Sequence, residues 1–183
     1  MHQMLPYLLL LLAVGTLAAL GLHSQKSTLK LTSKTWDQLV ADLQSLDFDS
    51  LKTVARDYLD PQKGQITLEP DTMWKLLGGD EGLKKMRANA DLMIALAAFA
   101  QQWNFEESVV VAERMRRDGL KLREAVNQIQ AGMSAVSFSD PTHVAVPFYL
   151  HEAAAAYYLM RQRLLALYET SHAGLLPRLA EVL

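Results

Sequence analysis

An almost continuous apolar segment runs from Met4 to Leu22, and the first charged side chain along the sequence is Lys26. A helix rises about 1.5 Å per residue, so roughly 20 apolar residues match the hydrocarbon thickness of a bilayer. The sequence therefore predicts a single transmembrane helix over residues 4–22, after a short tail of residues 1–3. The side chains expected to form its lipid-facing surface are Leu5, Leu8, Leu9, Leu10, Leu11, Leu12, Val14, Leu17, Leu20 and Leu22.

A cleaved secretory signal peptide is the alternative interpretation of this segment. Such a peptide has a cationic start, an apolar core of about 7–15 residues and small residues before the cleavage site. Here only the terminal amine and His2 precede a longer apolar stretch, and bulky Leu22 and His23 follow the best site, after Gly21. We therefore expect an uncleaved anchor, whereas removal of residues 1–21 would leave an exported chain.

The lysines that follow the apolar segment predict its orientation. Lys26, Lys30 and Lys34 lie in a Ser- and Thr-rich juxtamembrane linker, residues 23–34, and no Lys or Arg precedes the segment. Positive charges favour the cytoplasmic side of a membrane, so the N-terminus is expected outside and the C-terminal domain in the cytoplasm. The same lysines are also placed to contact anionic lipid headgroups.

Composition limits what the remaining domain, residues 35–183, is expected to do. All 18 basic and 20 acidic residues lie beyond the apolar segment. The chain after the apolar segment is thus nearly neutral, which argues against a dedicated nucleic-acid binder, since such a protein carries a marked basic excess. The absence of cysteine excludes a thiol nucleophile, a disulfide framework and a cysteine-ligated metal. The domain has the size of one ordinary folding unit with its own core.

The period of apolar residues after the linker is helical. Thr35 is expected to open one short helix, Asp49 a second and Pro70 a third. Gly78 and Gly79 end the third, and a long helix then begins near Asp80 and reaches Trp103. Residues 92–100 are apolar all round, which predicts a helix covered on most sides.

Two further long helices are predicted. Asn104 and Glu107 form a capping-box pattern before the first of them, and Pro147 opens the second, which runs to about Ser171. A short helix follows Gly174. The fold class is therefore all-α, an irregular bundle of three long and three to four short helices. The buried stripe predicted for the first of the two is Val111, Met115, Leu122, Val126, Ile129 and Met133.

Candidate metal ligands are few. Glu169 and His172 form a Glu-x-x-His pair on the last long helix, but di-iron bundles require a second such pair and two further glutamates. His151 and Glu152 begin like a zinc-protease motif, yet residues 153–156 are alanines where a second histidine is required. We therefore expect no metal or other cofactor, with Glu169 and His172 as weak candidates.

Basic side chains cluster on the long helix after Asn104. Arg114, Arg117 and Lys121 are candidates for contact with an anionic partner. Acidic residues alternate with them along the helix, which is also the pattern of a solvated, ion-paired face.

No catalytic constellation emerges from these patterns. The sequence favours a non-enzymatic, single-pass membrane protein, bound to lipid through its N-terminal helix, whose helical domain binds another protein as an adaptor or accessory subunit. Nucleic acid is not an expected partner. The alternative is a sensor that binds a small molecule or lipid in an aromatic pocket between the long helices. Its expected lining is Trp36, Trp74, Trp103, Tyr157 and Tyr158.

Overall fold

The computed structural model describes residue 31 and residues 33–61, 67–134 and 146–183. The predicted anchor at residues 4–22, together with Lys26 and Lys30, lies outside the described residues. Lys34 is described; it is half-buried, and its backbone N–H donates to the carbonyl of Leu31 at 3.2 Å. No helix within the described ranges combines the length and apolarity that a membrane crossing requires.

The chain divides into two units, residues 1–35 and residues 36–183, and the second contains the helical bundle. All-α architecture is confirmed, since the described residues form seven α-helices, three long and four short, with no strand among them. The helices are α1 (Trp36–Ala41), α2 (Phe48–Leu59), α3 (Pro70–Leu76), α4 (Gly79–Phe99), α5 (Phe105–Ser134), α6 (Val146–Ser171) and α7 (Leu176–Val182). Short 3-10 turns, Ala100–Gln102 and Ala173–Leu175, follow α4 and α6.

Helix α2 begins earlier than the sequence pattern predicts. Asp47, not Asp49, is its N-cap: the Asp47 carboxylate accepts the backbone N–H of Ser50 at 3.1 Å and the Ser50 hydroxyl at 2.7 Å. These hydrogen bonds from Ser50 lower the pKa of Asp47. Asp49 lies instead in the first turn, where its negative charge is favourable near the positive end of the helix dipole. The prediction of Asp49 as the cap is therefore wrong by two residues.

The junction between α3 and α4 depends on glycine. Gly78 and Gly79 have φ of 76° and 61°, in the left-handed region that glycine adopts without steric cost. Helix α4 starts at Gly79, one residue before the predicted position. In its first turn Gly82 approaches the end of α3 so closely that a Cβ there would lie 1.7 Å from the carbonyl oxygen of Leu77. The tight α3–α4 turn therefore requires glycine at position 82.

Helix α6 is the centre of the bundle. It has its most extensive contact with α5, and it also packs against α2, α3, α4 and α7. No residue from 150 to 161 on α6 is exposed, and the four consecutive alanines 153–156 are buried. Small side chains at these positions allow neighbouring helices to approach closely. The second half of α4 also has no exposed residue between 91 and 101, as its apolar sequence predicts.

Helix α6 buries His151, Tyr157 and Tyr168, and each of them is hydrogen-bonded to another part of the bundle. The hydroxyl of Tyr157 accepts from the Asn89 amide of α4 at 3.0 Å. Asn89 also donates to the carbonyl of Gln44 at 2.7 Å and accepts the Gln44 N–H at 2.9 Å. Burial raises the pKa of Tyr157 to about 12, so it remains a neutral phenol. This network attaches the segment after α1 to α4 and α6.

A second buried network ties α1 to α6. The Trp36 indole N–H donates to the Tyr168 hydroxyl at 3.0 Å, and that hydroxyl donates to the carbonyl of Leu96 at 3.0 Å. Both aromatic side chains are buried. Because an unpaired indole or phenol group in the core costs free energy, this chain of hydrogen bonds fixes how α1 sits against α4 and α6.

The third network is a hydrogen-bonded Asp–His pair between α2 and α6. His151 is 2% exposed, and its Nε2 lies 2.9 Å from a carboxylate oxygen of Asp57, while its Nδ1 lies 3.1 Å from the carbonyl of Pro147. Both ring nitrogens therefore lie within hydrogen-bonding distance of an oxygen atom. The Asp57 carboxylate also accepts hydrogen bonds from the Thr67 N–H and hydroxyl and from the Leu68 N–H. It therefore connects three parts of the bundle: α2, α6 and the segment that precedes α3.

Asp57 makes stability depend on pH in the acid range. Burial of the carboxyl opposes its ionisation, but the hydrogen bonds from Thr67, His151 and Leu68 prevail and lower its pKa from 3.8 to about 2. A carboxyl with a depressed folded-state pKa contributes stability above its unfolded pKa, and this contribution is lost as the pH falls through the folded value. The contribution is thus fully present above about pH 4 and is lost as the pH approaches 2.

Asp57→Asn is expected to lower the free energy of unfolding at pH 7 by about 3 kcal/mol, because it removes the charged acceptor that Thr67, Leu68 and His151 share. Denaturant titrations followed by circular dichroism measure this difference, which should shrink between about pH 4 and pH 2. The exposed neighbour Asp60 supplies the control, since Asp60→Asn should change little. A loss that is the same at pH 7 and pH 2 would contradict a contribution from the ionised Asp57 carboxylate.

Gly82→Ala is expected to lower the free energy of unfolding by about 3 kcal/mol, because the added methyl group collides with the backbone of Leu77. Gly174→Ala is the matched control, since a Cβ there would meet the His172 ring at 3.5 Å, an ordinary contact distance. Thermal unfolding of the two variants under identical conditions provides the comparison. Equal melting temperatures for both variants would show that the α3–α4 turn adjusts without cost.

Candidate protein-interaction surface

The corner between α4 and α5 is built by a cap that the sequence predicts. The Asn104 side-chain oxygen accepts the backbone N–H of Glu107 at 3.3 Å, which confirms Asn104 as the cap, while the Asn104 backbone N–H donates to Ala100 and not to Glu107 as a full capping box requires. The Asn104 side-chain amide in turn donates to the Glu107 carboxylate at 2.7 Å. The Thr170 hydroxyl of α6 donates to the same carboxylate at 3.1 Å. The first turn of α5 is thus attached both to its own cap and to α6.

Trp103 is held at this corner by aromatic neighbours. Its ring centroid lies 5.6 Å from that of Phe99, 6.2 Å from Tyr168 and 4.6 Å from His172. The indole nevertheless remains 39% exposed. Aromatic contacts on one side therefore fix an indole whose other side faces solvent.

Large apolar side chains continue from Trp103 along the solvent side of α5. Phe105 is 67% exposed and Leu120 is 62% exposed, and Val109 and Val110 between them are also exposed. We call the solvent side of α5 from Phe105 to Lys121, together with Trp103, the outer face. Exposed apolar side chains that group together are characteristic of sites that bind protein or membrane.

The opposite side of α5 carries the predicted buried stripe. Met115, Leu122, Val126 and Ile129 are fully buried, and Val111 is half-buried. The side chain of Met133 lies outside the described residues. Helix α5 therefore has apolar residues on two sides, one covered by the bundle and one open to solvent.

Charges on the outer face are unevenly distributed along the helix. Arg114, Arg117 and Lys121 are all exposed. The Glu113 carboxylate lies 3.4 Å from the Arg117 side chain, and no described carboxylate pairs with Arg114 or Lys121. Glu106, in the first turn, is also exposed. The face is therefore acidic where the helix begins and basic from its third turn onward.

The predicted metal-ligand pair lies beside the same corner. Glu169 is exposed on α6, and the His172 ring packs on Trp103. Across the described ranges, no group of three or more His, Asp or Glu side chains has the proximity needed to hold a metal ion. Whether Glu169 and His172 bind a metal remains a weak prediction of the sequence.

A surface groove of about 340 Å³ lies between the segment after α1, the end of α3 and the start of α4. Leucines form part of its wall, and Lys75, Lys85 and Glu81 stand around it. None of its lining side chains is aromatic. The complete lining is Ser45, Leu46, Asp47, Ser50, Leu51, Lys75, Leu76, Leu77, Gly78, Glu81, Gly82 and Lys85.

The aromatic residues considered for a pocket are distributed through the packing of the bundle. Trp36 and Tyr157 are buried and hydrogen-bonded, as described above. Tyr158 stacks on Phe48 at 6.0 Å between ring centroids, and the Arg161 guanidinium lies 3.6 Å from the Phe48 ring centroid. These contacts join α2 to α6.

The outward position of Val109, Val110 and Leu120 is not predicted by the stripe pattern. A signal was nevertheless present in the sequence. At about 100° per residue these three positions fall on the charged side of the helical wheel, away from the sector occupied by Met115 and Ile129. Apolar residues that occur among charges on a helix are the pattern that indicates an exposed binding face.

Comparison of the chain with protein-family models, with curated proteins and with solved structures finds no match.

Proposed function

We propose that this chain is a non-enzymatic, membrane-tethered adaptor or accessory subunit whose helical domain binds protein through the outer face of α5. The observation that carries the proposal is the exposed apolar series that begins at Trp103 and Phe105 and ends at Leu120. Exposed charged residues border this series, as polar rims border the apolar centres of protein interfaces.

The outer face has the properties of a pre-organised binding surface. Trp103 supplies a large aromatic group that its neighbours already orient, and Phe105 follows the Asn104 cap directly. Aromatic residues are enriched among those that dominate binding free energy. Because the cap and the Thr170 hydrogen bond fix the first turn of α5, little conformational entropy is lost on association.

The tether is supported by the apolar sequence of residues 4–22 and by the lysines that follow it. Confinement to a membrane surface raises the effective concentration of a domain toward partners on the same surface. A modest binding face is therefore sufficient when both partners are tethered. This fits an accessory subunit of a membrane-associated complex.

The non-enzymatic part of the proposal is supported by the burial of the Asp57–His151 pair. A carboxylate next to a histidine is a common arrangement for proton transfer. Here, however, the histidine is 2% exposed, and both of its nitrogens already face oxygen acceptors. A substrate has no access to this pair, which instead connects α2 and α6.

The groove beside the α3–α4 turn favours a second candidate function, binding of a small and partly apolar ligand. Its leucines and the ammonium groups of Lys75 and Lys85 resemble the mixture of apolar walls and few polar groups found in ligand sites. It is the weaker candidate because the Asp47 carboxylate is already used to cap α2.

The interaction face is tested by placing a photo-crosslinking amino acid at position 110 of the full-length chain in its native membrane. We expect a covalent adduct with protein at position 110 and none at position 181, an exposed glutamate on α7. Phe105→Glu should reduce the adduct several-fold without changing the melting temperature, since the Phe105 side chain is 67% exposed.

Phe148→Glu is the matched control, because Phe148 is another exposed phenylalanine, 49% exposed, on a different helix. It should leave the adduct at position 110 unchanged. Adducts that are equally strong at positions 110 and 181, or equal losses for the two phenylalanine variants, would contradict a specific outer face.

The tether is tested by intact-mass spectrometry of the chain recovered from membranes. We expect the full 20.4 kDa chain, extractable by detergent and resistant to alkaline carbonate. A protein that lacks residues 1–21 and is released without detergent would instead establish the signal-peptide alternative. Reporter fusions at each end measure the orientation, and a C-terminal reporter that is active only outside the cytoplasm would contradict the predicted topology.

A further inference from the structure

The groove beside the α3–α4 turn has apolar walls from two parts of the chain. Leu46 and Leu51 come from the beginning of α2, and Leu76 and Leu77 come from the end of α3. Leu51 and Leu77 are buried, and the other two leucines are half-buried. The groove volume of about 340 Å³ lies at the lower end of the range for small-molecule sites, roughly 300–1,000 Å³. The groove therefore suits a slender apolar group rather than a bulky one.

Three charged side chains of this groove have no described partner. Lys75 on α3 and Glu81 and Lys85 on α4 make no hydrogen bond or ion pair with any residue that the structure describes. Glu81 and Lys85 lie four positions apart on the same side of α4, but no ion pair joins them. The neighbouring Lys84 is paired with Asp80 at 2.6 Å. The groove thus offers two ammonium groups and one carboxylate to a ligand.

The second carboxylate of the lining is already used within the protein. Asp47 accepts the backbone N–H of Ser50 at 3.1 Å and the Ser50 hydroxyl at 2.7 Å. Both of these residues line the groove, and Asp47 is not ion-paired with either lysine. The charges left to a ligand are therefore of both signs.

A ligand that satisfies all of these groups has three parts. An anionic group pairs with Lys75 and Lys85, since lysine is a common binder of phosphate. A cationic N–H group donates to the Glu81 carboxylate, and an apolar chain lies along the leucines. An anion without a cationic group would be repelled by Glu81, and a neutral amphiphile would leave all three charges unpaired. The combination of charges and apolar walls therefore favours a zwitterionic amphiphile.

We propose that this groove binds a single-chain phospholipid with an ethanolamine head group. The phosphate lies between the two lysines, the primary ammonium donates to Glu81, and the beginning of the acyl chain covers the leucines. The proposed tether would keep the domain beside a bilayer, which is a source of such a molecule. This inference rests on the second candidate function, because it names the ligand of the same groove, and it does not involve the outer face of α5.

Glu81 should distinguish two common phospholipid head groups. The ammonium of ethanolamine carries N–H donors, whereas the quaternary ammonium of choline carries none. The carboxylate therefore forms charge-assisted hydrogen bonds with the first head group only, and such bonds are stronger than neutral ones. Two lysophospholipids with the same acyl chain thus differ in this one contact.

Glycine amides provide a direct test, because the chain has nine glycines, and Gly78 and Gly82 line the groove. The full-length chain, with isotopically labelled glycine and in nanodiscs of phosphatidylcholine, is titrated with lysophosphatidylethanolamine and followed by nuclear magnetic resonance. We expect saturable shifts for the two groove glycines and none for Gly119 on α5 or Gly174 after α6. Lysophosphatidylcholine with the same acyl chain should require a several-fold higher concentration, and so should the matching neutral monoacylglycerol.

Substitutions assign the two charges of the head group to their partners. Lys75→Gln combined with Lys85→Gln should weaken the binding of lysophosphatidylethanolamine several-fold. Lys84→Gln is the matched control, because Lys84 does not line the groove, and it should leave binding unchanged. Glu81→Gln should remove the preference for ethanolamine over choline. Circular dichroism establishes that all of these variants retain their helix content.

The outcomes separate this inference from the function on which it rests. Equal affinities for the three amphiphiles, or a preference for ethanolamine that survives Glu81→Gln, would overturn the phospholipid assignment and leave the groove as a general ligand site. No saturable shift, or equal shifts at all glycines, would overturn both. Neither result affects the outer face of α5, which is measured separately by the adduct at position 110.

Discussion

The bundle depends on the polar side chains that α6 carries into its core. His151, Tyr157 and Tyr168 are buried on this one helix, and each is hydrogen-bonded to a different part of the chain. An unsatisfied polar group in such a position costs about 1–3 kcal/mol. Loss of any of the three hydrogen-bond partners would therefore destabilise the bundle. These hydrogen bonds determine where the short helices sit, while the alanines of α6 determine how closely the long helices approach.

This arrangement also explains why the outer face of α5 is rigid. One side of α5 packs on α6 and α4, and its first turn is attached to α6 through Glu107 and Thr170. The exposed apolar residues therefore project from a fixed backbone. A surface of this type gives selectivity through shape, which a flexible segment achieves only at an entropic cost.

The sequence was sufficient to predict most helix boundaries, because the signals that set them are local. Pro70, Asn104 and Pro147 lie within one residue of the start of their helices, as predicted. The sequence predicts Asp49 as the cap of α2, but Asp47 fits the same local rule, and in the structure it is Asp47 that accepts the Ser50 N–H. The partnership of Asp57 with His151 was beyond prediction, since 94 residues separate them and neither has a distinctive neighbour. For the candidate face, the sequence pattern predicts the exposed basic residues Arg114, Arg117 and Lys121, but it does not predict that Val109, Val110 and Leu120 are exposed among them.

The position of α6 in the chain has a consequence for the order of folding during synthesis. Helices α1, α2, α4 and α5 all precede it, so each leaves the ribosome before the helix that completes its core. Until α6 emerges, Asp57, Trp36 and the inner side of α5 lack their main contacts. Synthesis proceeds at about 5–20 residues per second. The apolar surfaces of these earlier helices therefore remain exposed to solvent for several seconds before α6 is synthesised. The nascent chain is therefore most exposed to aggregation and to chaperone binding shortly before residues 146–171 appear.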